Sequence, residues 1–132
     1  MHLHFSENAV ETVLTFFVLI TFFQSGLDKI FDWKGNLSWL KGHFSKTMFH
    51  NIVPLLLGVV TLLEFVTGVL ALMGLVHLLL HDQEIFIFYA ALLGCLTLLL
   101  LLLGQRIAKD YEGAKTIVIY LIATSFLLFL VQ

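Results

Sequence analysis

The chain has 132 residues, of which 60% are hydrophobic and only 12% are charged, and its net charge is −2. Soluble domains carry about 25% charged residues, so this composition excludes an ordinary soluble domain and indicates a membrane protein. The small net charge gives no reason to expect a nucleic-acid partner. The length leaves room for a single membrane domain, residues 1–132, so the expected surroundings are the lipid bilayer.

Four hydrophobic segments predict membrane spans at about residues 10–31, 53–76, 85–108 and 114–131. A helix needs about 20 apolar residues to cross the hydrocarbon core, and within lipid a helix satisfies its own backbone hydrogen bonds. No Lys or Arg precedes the first segment, which argues against a cleaved signal peptide. We therefore predict an all-α fold, an integral membrane antiparallel four-helix bundle.

The segment between the first two spans, residues 32–52, carries apolar side chains at helical spacing. They are Trp33, Leu37, Leu40, Phe44 and Met48, and lysines fall between them. Apolar residues on one face and lysines on the other are typical of helices that lie in the membrane interface. We predict an interfacial amphipathic segment between helices 1 and 2.

The basic residues indicate an orientation. All seven Lys and Arg residues lie in or beside the loops that follow the first and third spans. The positive-inside rule places these loops in the cytoplasm. The expected localisation is a bacterial inner membrane, crossed several times, with both termini in the periplasm.

Glu64 is the only charged residue in the apolar run 52–76. A carboxylate at this depth costs several kcal/mol unless it is neutralised, paired or hydrated. Gln24, Asp28 and Lys29 close the first span and Arg106 closes the third, so topology brings them to the same membrane half. These five residues form the candidate intramembrane polar site. A ligand pocket and a purely structural polar network are equally compatible with this pattern.

Small residues recur at helical spacing in the second and third spans. Such stripes let helices approach closely in lipid, and the second-span stripe includes Glu64. The glycines expected at helix contacts are Gly26, Gly58, Gly68, Gly94 and Gly104.

Two histidines, His77 and His81, lie four residues apart near the end of the second span. This spacing can serve a metal, although a third ligand would have to come from Asp82, Glu84, His2 or His4. They are weak metal candidates, and no metal site is predicted. A bis-histidine haem is not expected, because His77 has no histidine partner in the other spans.

The motifs together resemble those of the DoxX family of small membrane proteins. The resemblance rests on Gly26 and Lys29 at the end of the first span, and on Glu64 and Gly68 in the second. It implies a four-helix membrane fold and a link to membrane redox complexes.

The function expected from this pattern is a DoxX-like accessory subunit of an inner-membrane redox assembly, not catalytic alone. No cofactor is evident, but a quinone would suit the polar site, with Glu64 and Lys29 at its head group. The expected partners are a larger membrane complex or further copies of this chain. Two alternatives stay open: a small-solute or proton transporter with Glu64 as the binding carboxylate, and a purely structural membrane partner.

Overall fold

A computed structural model describes residues 8–132 as five α-helices. They are α1 (Ala9–Phe31), α2 (Trp33–His43), α3 (Val53–His81), α4 (Ile85–Ile107) and α5 (Tyr111–Val131). All helices except α2 are long and apolar enough to cross a membrane. The predicted all-α class and the four apolar helices are therefore confirmed, and the architecture is that of a multi-pass membrane protein.

The helix boundaries follow local sequence signals. Pro54 lies in the first turn of α3, where its missing N–H is not needed. Asp32 and Asp110 cap α2 and α5, because their carboxylates accept hydrogen bonds from the amides of Gly35 and Gly113. The second apolar helix runs beyond the predicted residue 76 to His81, so His77 belongs to the helix and not to the following loop.

The core lies where α1, α3, α4 and α5 pack together. Its larger buried side chains include Phe22, Leu78, Ile87, Leu98 and Leu127. The outward faces carry many exposed Leu, Ile, Val and Phe side chains, as expected for helices that contact lipid. In this environment helices associate mainly by close packing and by hydrogen bonds between polar groups.

Buried threonines satisfy their hydroxyls within their own helices. Thr61, Thr67, Thr97 and Thr124 each donate a hydrogen bond of 2.7–2.8 Å to the carbonyl four residues earlier. This local bond removes the cost of an unsatisfied hydroxyl in the apolar interior. Glu64 cannot make such a hydrogen bond within its own helix, because an ionised carboxylate has no proton to donate to a helix carbonyl.

Glycines set the separation of the helices, although not at every predicted position. A Cβ on Gly68 would lie 2.9 Å from the Phe23 side chain, and one on Gly94 would lie 3.3 Å from Thr124. Gly58 and Gly104 face the segment around α2, where a Cβ added to each would be nearest to Trp33 and Phe44, respectively. These two glycines therefore border α2 and its loop.

Among the glycines, Gly74 makes the tightest contact with the backbone of a neighbouring helix, although it was not among the glycines predicted at helix contacts. A Cβ on Gly74 would lie 2.6 Å from the Ile87 side chain and 2.9 Å from its backbone nitrogen. The α4 backbone cannot move aside as a flexible side chain can. Gly74 therefore determines how closely α3 and α4 approach near their short connection.

Candidate functional site

Glu64 is buried in α3, with only 4% of its side chain exposed, and its partner is Lys29 of α1. Lys29 Nζ lies 2.8 Å from Glu64 Oε1 and also donates a 2.8 Å hydrogen bond to Ser25 Oγ. The ammonium approaches Oε1 outside hydrogen-bond geometry, so within residues 8–132 this oxygen has a charge partner but no hydrogen-bond donor. The pair therefore carries no net charge, and Glu64 Oε1 lacks a hydrogen bond from any described residue.

Gly26 brings the two charges together. A Cβ at this position would lie 3.4 Å from the backbone nitrogen of Phe65 and 3.7 Å from the Cβ of Glu64. The rings of Phe23 and Phe65 stack beside this contact at 5.4 Å. One turn of helix beyond Gly26, the Lys29 side chain is therefore close enough to α3 to reach Glu64.

The structure does not bring the other predicted residues to this pair. Gln24 and Asp28 are exposed, and both line an open groove that α1 forms with Leu72 of α3. Arg106 is also exposed, and its guanidinium lies 4.8 Å from the centre of the Tyr111 ring. The predicted five-residue cluster is thus a two-residue pair, because helical rotation turns the other three side chains outward.

Lys29 also lines a pocket of about 260 Å³ beneath α2. The walls are mostly apolar and come from α2, the loop after it, α3, α4 and α5. Besides Lys29, the lining residues are Trp39, Leu40, His43, Phe44, Phe49, Leu56, Leu57, Val59, Val60, Leu100, Leu101, Leu103, Gly104, Gln105 and Ile117.

The polar residues of the pocket wall, Lys29, His43 and Gln105, come from three different helices. His43 Nε2 lies 2.8 Å from Gln105 Oε1 and 3.7 Å from Asp110 Oδ2. The His43 ring also stacks on Trp39, with 4.5 Å between ring centres. An apolar cavity with a few converging polar groups is the usual form of a small-molecule site.

The turn between α4 and α5 positions Gln105 and Asp110. Lys109 adopts a left-handed conformation with φ of 61°, while the Asp110 amide donates to the Gln105 carbonyl and the Lys109 amide to that of Arg106. These bonds form a Schellman motif, whose left-handed position is usually glycine. The motif reverses the chain and places both polar side chains near the end of α2.

Sequence reasoning missed His43 and Trp39 as pocket residues. They are four residues apart in α2, so they share a helix face. That spacing was the available signal. However, only the packing of α2 against the rest of the protein shows that this face lines a cavity.

The opposite end of the protein carries an acidic cluster. Asn8 donates a 2.8 Å hydrogen bond to Asp82, which ends α3 in a left-handed conformation. Burial, followed by the nearby charges of Glu11 and Asp82, raises the pKa of Glu84. This residue precedes α4, and its carboxyl therefore holds a proton more readily than an exposed glutamate.

The two histidines considered for a metal lie near this same end. Their rings are 5.8 Å apart, and His77 Nδ1 lies 2.8 Å from the Met73 carbonyl. Within residues 8–132 no group of three or more His, Cys, Asp or Glu residues is arranged to hold a metal ion. The further candidates His2 and His4 lie outside the described residues.

Comparisons with known proteins give no information about this site. No protein-family model, no curated protein and no solved structure matches this chain. The resemblance to the DoxX family therefore stays a prediction, which rests on Gly26, Lys29, Glu64 and Gly68 of the sequence. In the structure all four residues lie at the contact between α1 and α3, where Gly26 and Lys29 adjoin Glu64, and Gly68 packs against Phe23 one turn away.

Proposed function

We propose that this chain is a DoxX-like accessory protein of a membrane redox assembly and that its α2-covered pocket binds the head group of a lipid-soluble quinone. One observation carries this proposal. Lys29 lines an apolar pocket, and the charge of its ammonium is compensated by the buried Glu64. The chain supplies no redox group of its own in this proposal, so electrons would be exchanged by a partner subunit.

The charge balance favours a neutral ligand with an acceptor oxygen. The Lys29 ammonium has donors to offer, but its positive charge is already matched by the Glu64 carboxylate. A carbonyl oxygen can accept a hydrogen bond from it without adding a net charge to the apolar site. A carboxylate or phosphate ligand would bring an unmatched negative charge, which is costly in low-dielectric surroundings.

The size and opening of the pocket favour a ligand that comes from the bilayer. A volume of about 260 Å³ is at the lower limit for small-molecule sites and suits one ring without a long tail. Val59, Leu100 and Leu103 line the pocket and are each about half exposed on the outer surface. A ring could occupy the pocket while its isoprenoid tail lies along these side chains in lipid.

In the proposed architecture the four long helices cross the membrane in alternating directions, and α2 lies in the interface. Contacts between α1 and α3 support opposite directions, because Phe23 packs on Gly68 while Lys29, later in α1, meets Glu64, earlier in α3. The short connections after α3 and α4 support the same arrangement. The absence of buried residues in α2 fits a helix that covers the bundle from outside.

The direct test is quinone binding to the purified protein in lipid nanodiscs. The informative variant is K29M/E64Q, which removes the donor and the carboxylate charge together and leaves no uncompensated ion. Because hydrogen bonds to charged groups contribute about 1.5–3 kcal/mol, the double variant should bind a decyl-tailed benzoquinone at least tenfold more weakly. Lys34→Met, a change at an exposed lysine of α2 outside the pocket, is the matched control and should bind normally.

Two results would contradict the proposal. One is the absence of quinone binding by the wild-type protein, and the other is equal binding by K29M/E64Q. The accessory role is tested separately by gentle purification from native membranes and mass spectrometry. A stable membrane oxidoreductase should co-purify with this chain, and purification of the chain alone would argue against that role.

A second candidate function, transport of a proton or small cation, is favoured by the unsatisfied Glu64 Oε1. In proteoliposomes that contain only this chain, such a carrier would show flux, and Glu64→Gln would abolish it. Glu112→Gln, at an exposed glutamate in the first turn of α5, provides the control.

A further inference from the structure

The polar end of the pocket contains a histidine, His43. His43 is the last residue of α2, and its side chain is 13% exposed. Its ring stacks on Trp39 at 4.5 Å and meets the edge of Phe44 at 5.0 Å. These aromatic contacts restrict rotation of the ring, so its two nitrogens keep distinct surroundings.

Gln105 determines which nitrogen of His43 carries the hydrogen. The Gln105 Oε1 atom is only an acceptor, and it lies 2.8 Å from His43 Nε2, so Nε2 must donate. The Asp110 carboxylate, 3.7 Å from the same nitrogen, favours the same arrangement. In a neutral ring the other nitrogen, Nδ1, is then an acceptor, and it makes no hydrogen bond to any residue in the range 8–132.

We propose that His43 Nδ1 accepts a hydrogen bond from a hydroxyl group of the bound ring, so that the pocket prefers the quinol to the quinone. This inference rests on the proposed quinone site and adds a selectivity to it. Lys29 can donate to an oxygen of either form. His43 with a fixed Nε2–H tautomer can accept only from a hydroxyl, which the quinol has and the quinone lacks.

The chemical consequence is a site with one donor and one acceptor. A quinone bound there would place a carbonyl oxygen near Nδ1, where two acceptors face each other without a proton between them. A quinol hydroxyl in the same place makes a hydrogen bond. Gln105 and Asp110 act through His43 as positioning residues, since they hold the tautomer that makes Nδ1 an acceptor.

The test compares the two forms of one ligand by anaerobic titration calorimetry in nanodiscs, with a decyl-tailed benzoquinone and its chemically reduced quinol. The measurement is made at about pH 8, where an ordinary histidine is neutral. The wild-type protein should bind the quinol about fivefold more tightly than the quinone, the effect of one hydrogen bond.

Two variants and one control separate this selectivity from a structural role. His43→Phe keeps a ring against Trp39 but removes both nitrogens, so the preference should disappear and the quinol and the quinone should bind with similar affinity. Gln105→Leu keeps the histidine but frees its tautomer, and it should reduce the preference. His50→Phe changes an exposed histidine outside the pocket, and should keep the full preference.

The outcomes distinguish this inference from the proposed function. If the wild-type protein binds neither form, the quinone site itself is refuted. If it binds both forms equally, or if His43→Phe retains the quinol preference, only the role of His43 is refuted.

Discussion

Removing the Lys29 ammonium should destabilise the protein far more than removing the Glu64 charge. Lys29→Met leaves a carboxylate that is 4% exposed without its only ionic partner among residues 8–132. Glu64→Gln instead leaves an ammonium that is 18% exposed and still bonded to Ser25 Oγ. That ammonium can also extend along its flexible stem toward the interface.

The expected magnitudes follow from this asymmetry. Breaking a buried pair by removing one partner costs about 3–5 kcal/mol. We take about 3 kcal/mol for Lys29→Met, because the remaining carboxylate can take up a proton. Glu64→Gln should cost about 1 kcal/mol, in the range of other polar contacts between membrane helices. The double variant K29M/E64Q contains no buried ion and should also lose only about 1 kcal/mol, which gives a coupling of about 3 kcal/mol.

The measurement is the free energy of unfolding in mixed micelles, followed by far-ultraviolet circular dichroism for the wild type, both single variants and the double variant. Lys34→Met serves as the control for the loss of an exposed lysine. Additive effects, with the double variant losing about 4 kcal/mol, would refute the reasoning, since they would show that the two charges do not interact energetically.

Three further predictions concern stability away from the pocket. Gly74→Ala should lower the free energy of unfolding by about 1–3 kcal/mol, because the new Cβ would overlap the α4 backbone. The control is Gly42→Ala in α2, whose Cβ meets nothing within 4 Å, and it should be neutral or stabilising in the same unfolding assay. Lys109→Gly should stabilise by about 1 kcal/mol, because glycine adopts the left-handed conformation without steric cost, and an unchanged or lower unfolding free energy would contradict this. The raised pKa of Glu84 means that the folded state binds its proton more tightly than the unfolded state. The stability that this proton contributes is therefore fully present below pH 4.5, and it is lost as the pH rises through the higher pKa of the folded state. Glu84→Gln should therefore remove part of the stability loss seen on raising the pH above 4.5, and identical pH profiles of variant and wild type would argue against it.

The sequence alone identified the depth of Glu64 but not its neighbours. Glu64 and Lys29 were both expected in one membrane half, and the structure places their charged atoms 2.8 Å apart. Gln24 and Asp28 precede Lys29 by only a few residues, yet they are exposed. A helix turns by about 100° per residue, so neighbours in sequence point in different directions, and the packing partner decides which of them is buried.

Hydrophobicity determined the long apolar helices directly. About 20 apolar residues in a row have few stable conformations in lipid other than a helix, and this argument does not depend on which helices become neighbours. The pocket could not be derived in this way. It joins Lys29, His43 and Gln105 from three helices, and it exists because α2 and its loop cover a space left between α3 and α4. The sequence by itself therefore determined the spans and the buried carboxylate, whereas tertiary packing decided its partner, the pocket beside it and the histidine that faces that pocket.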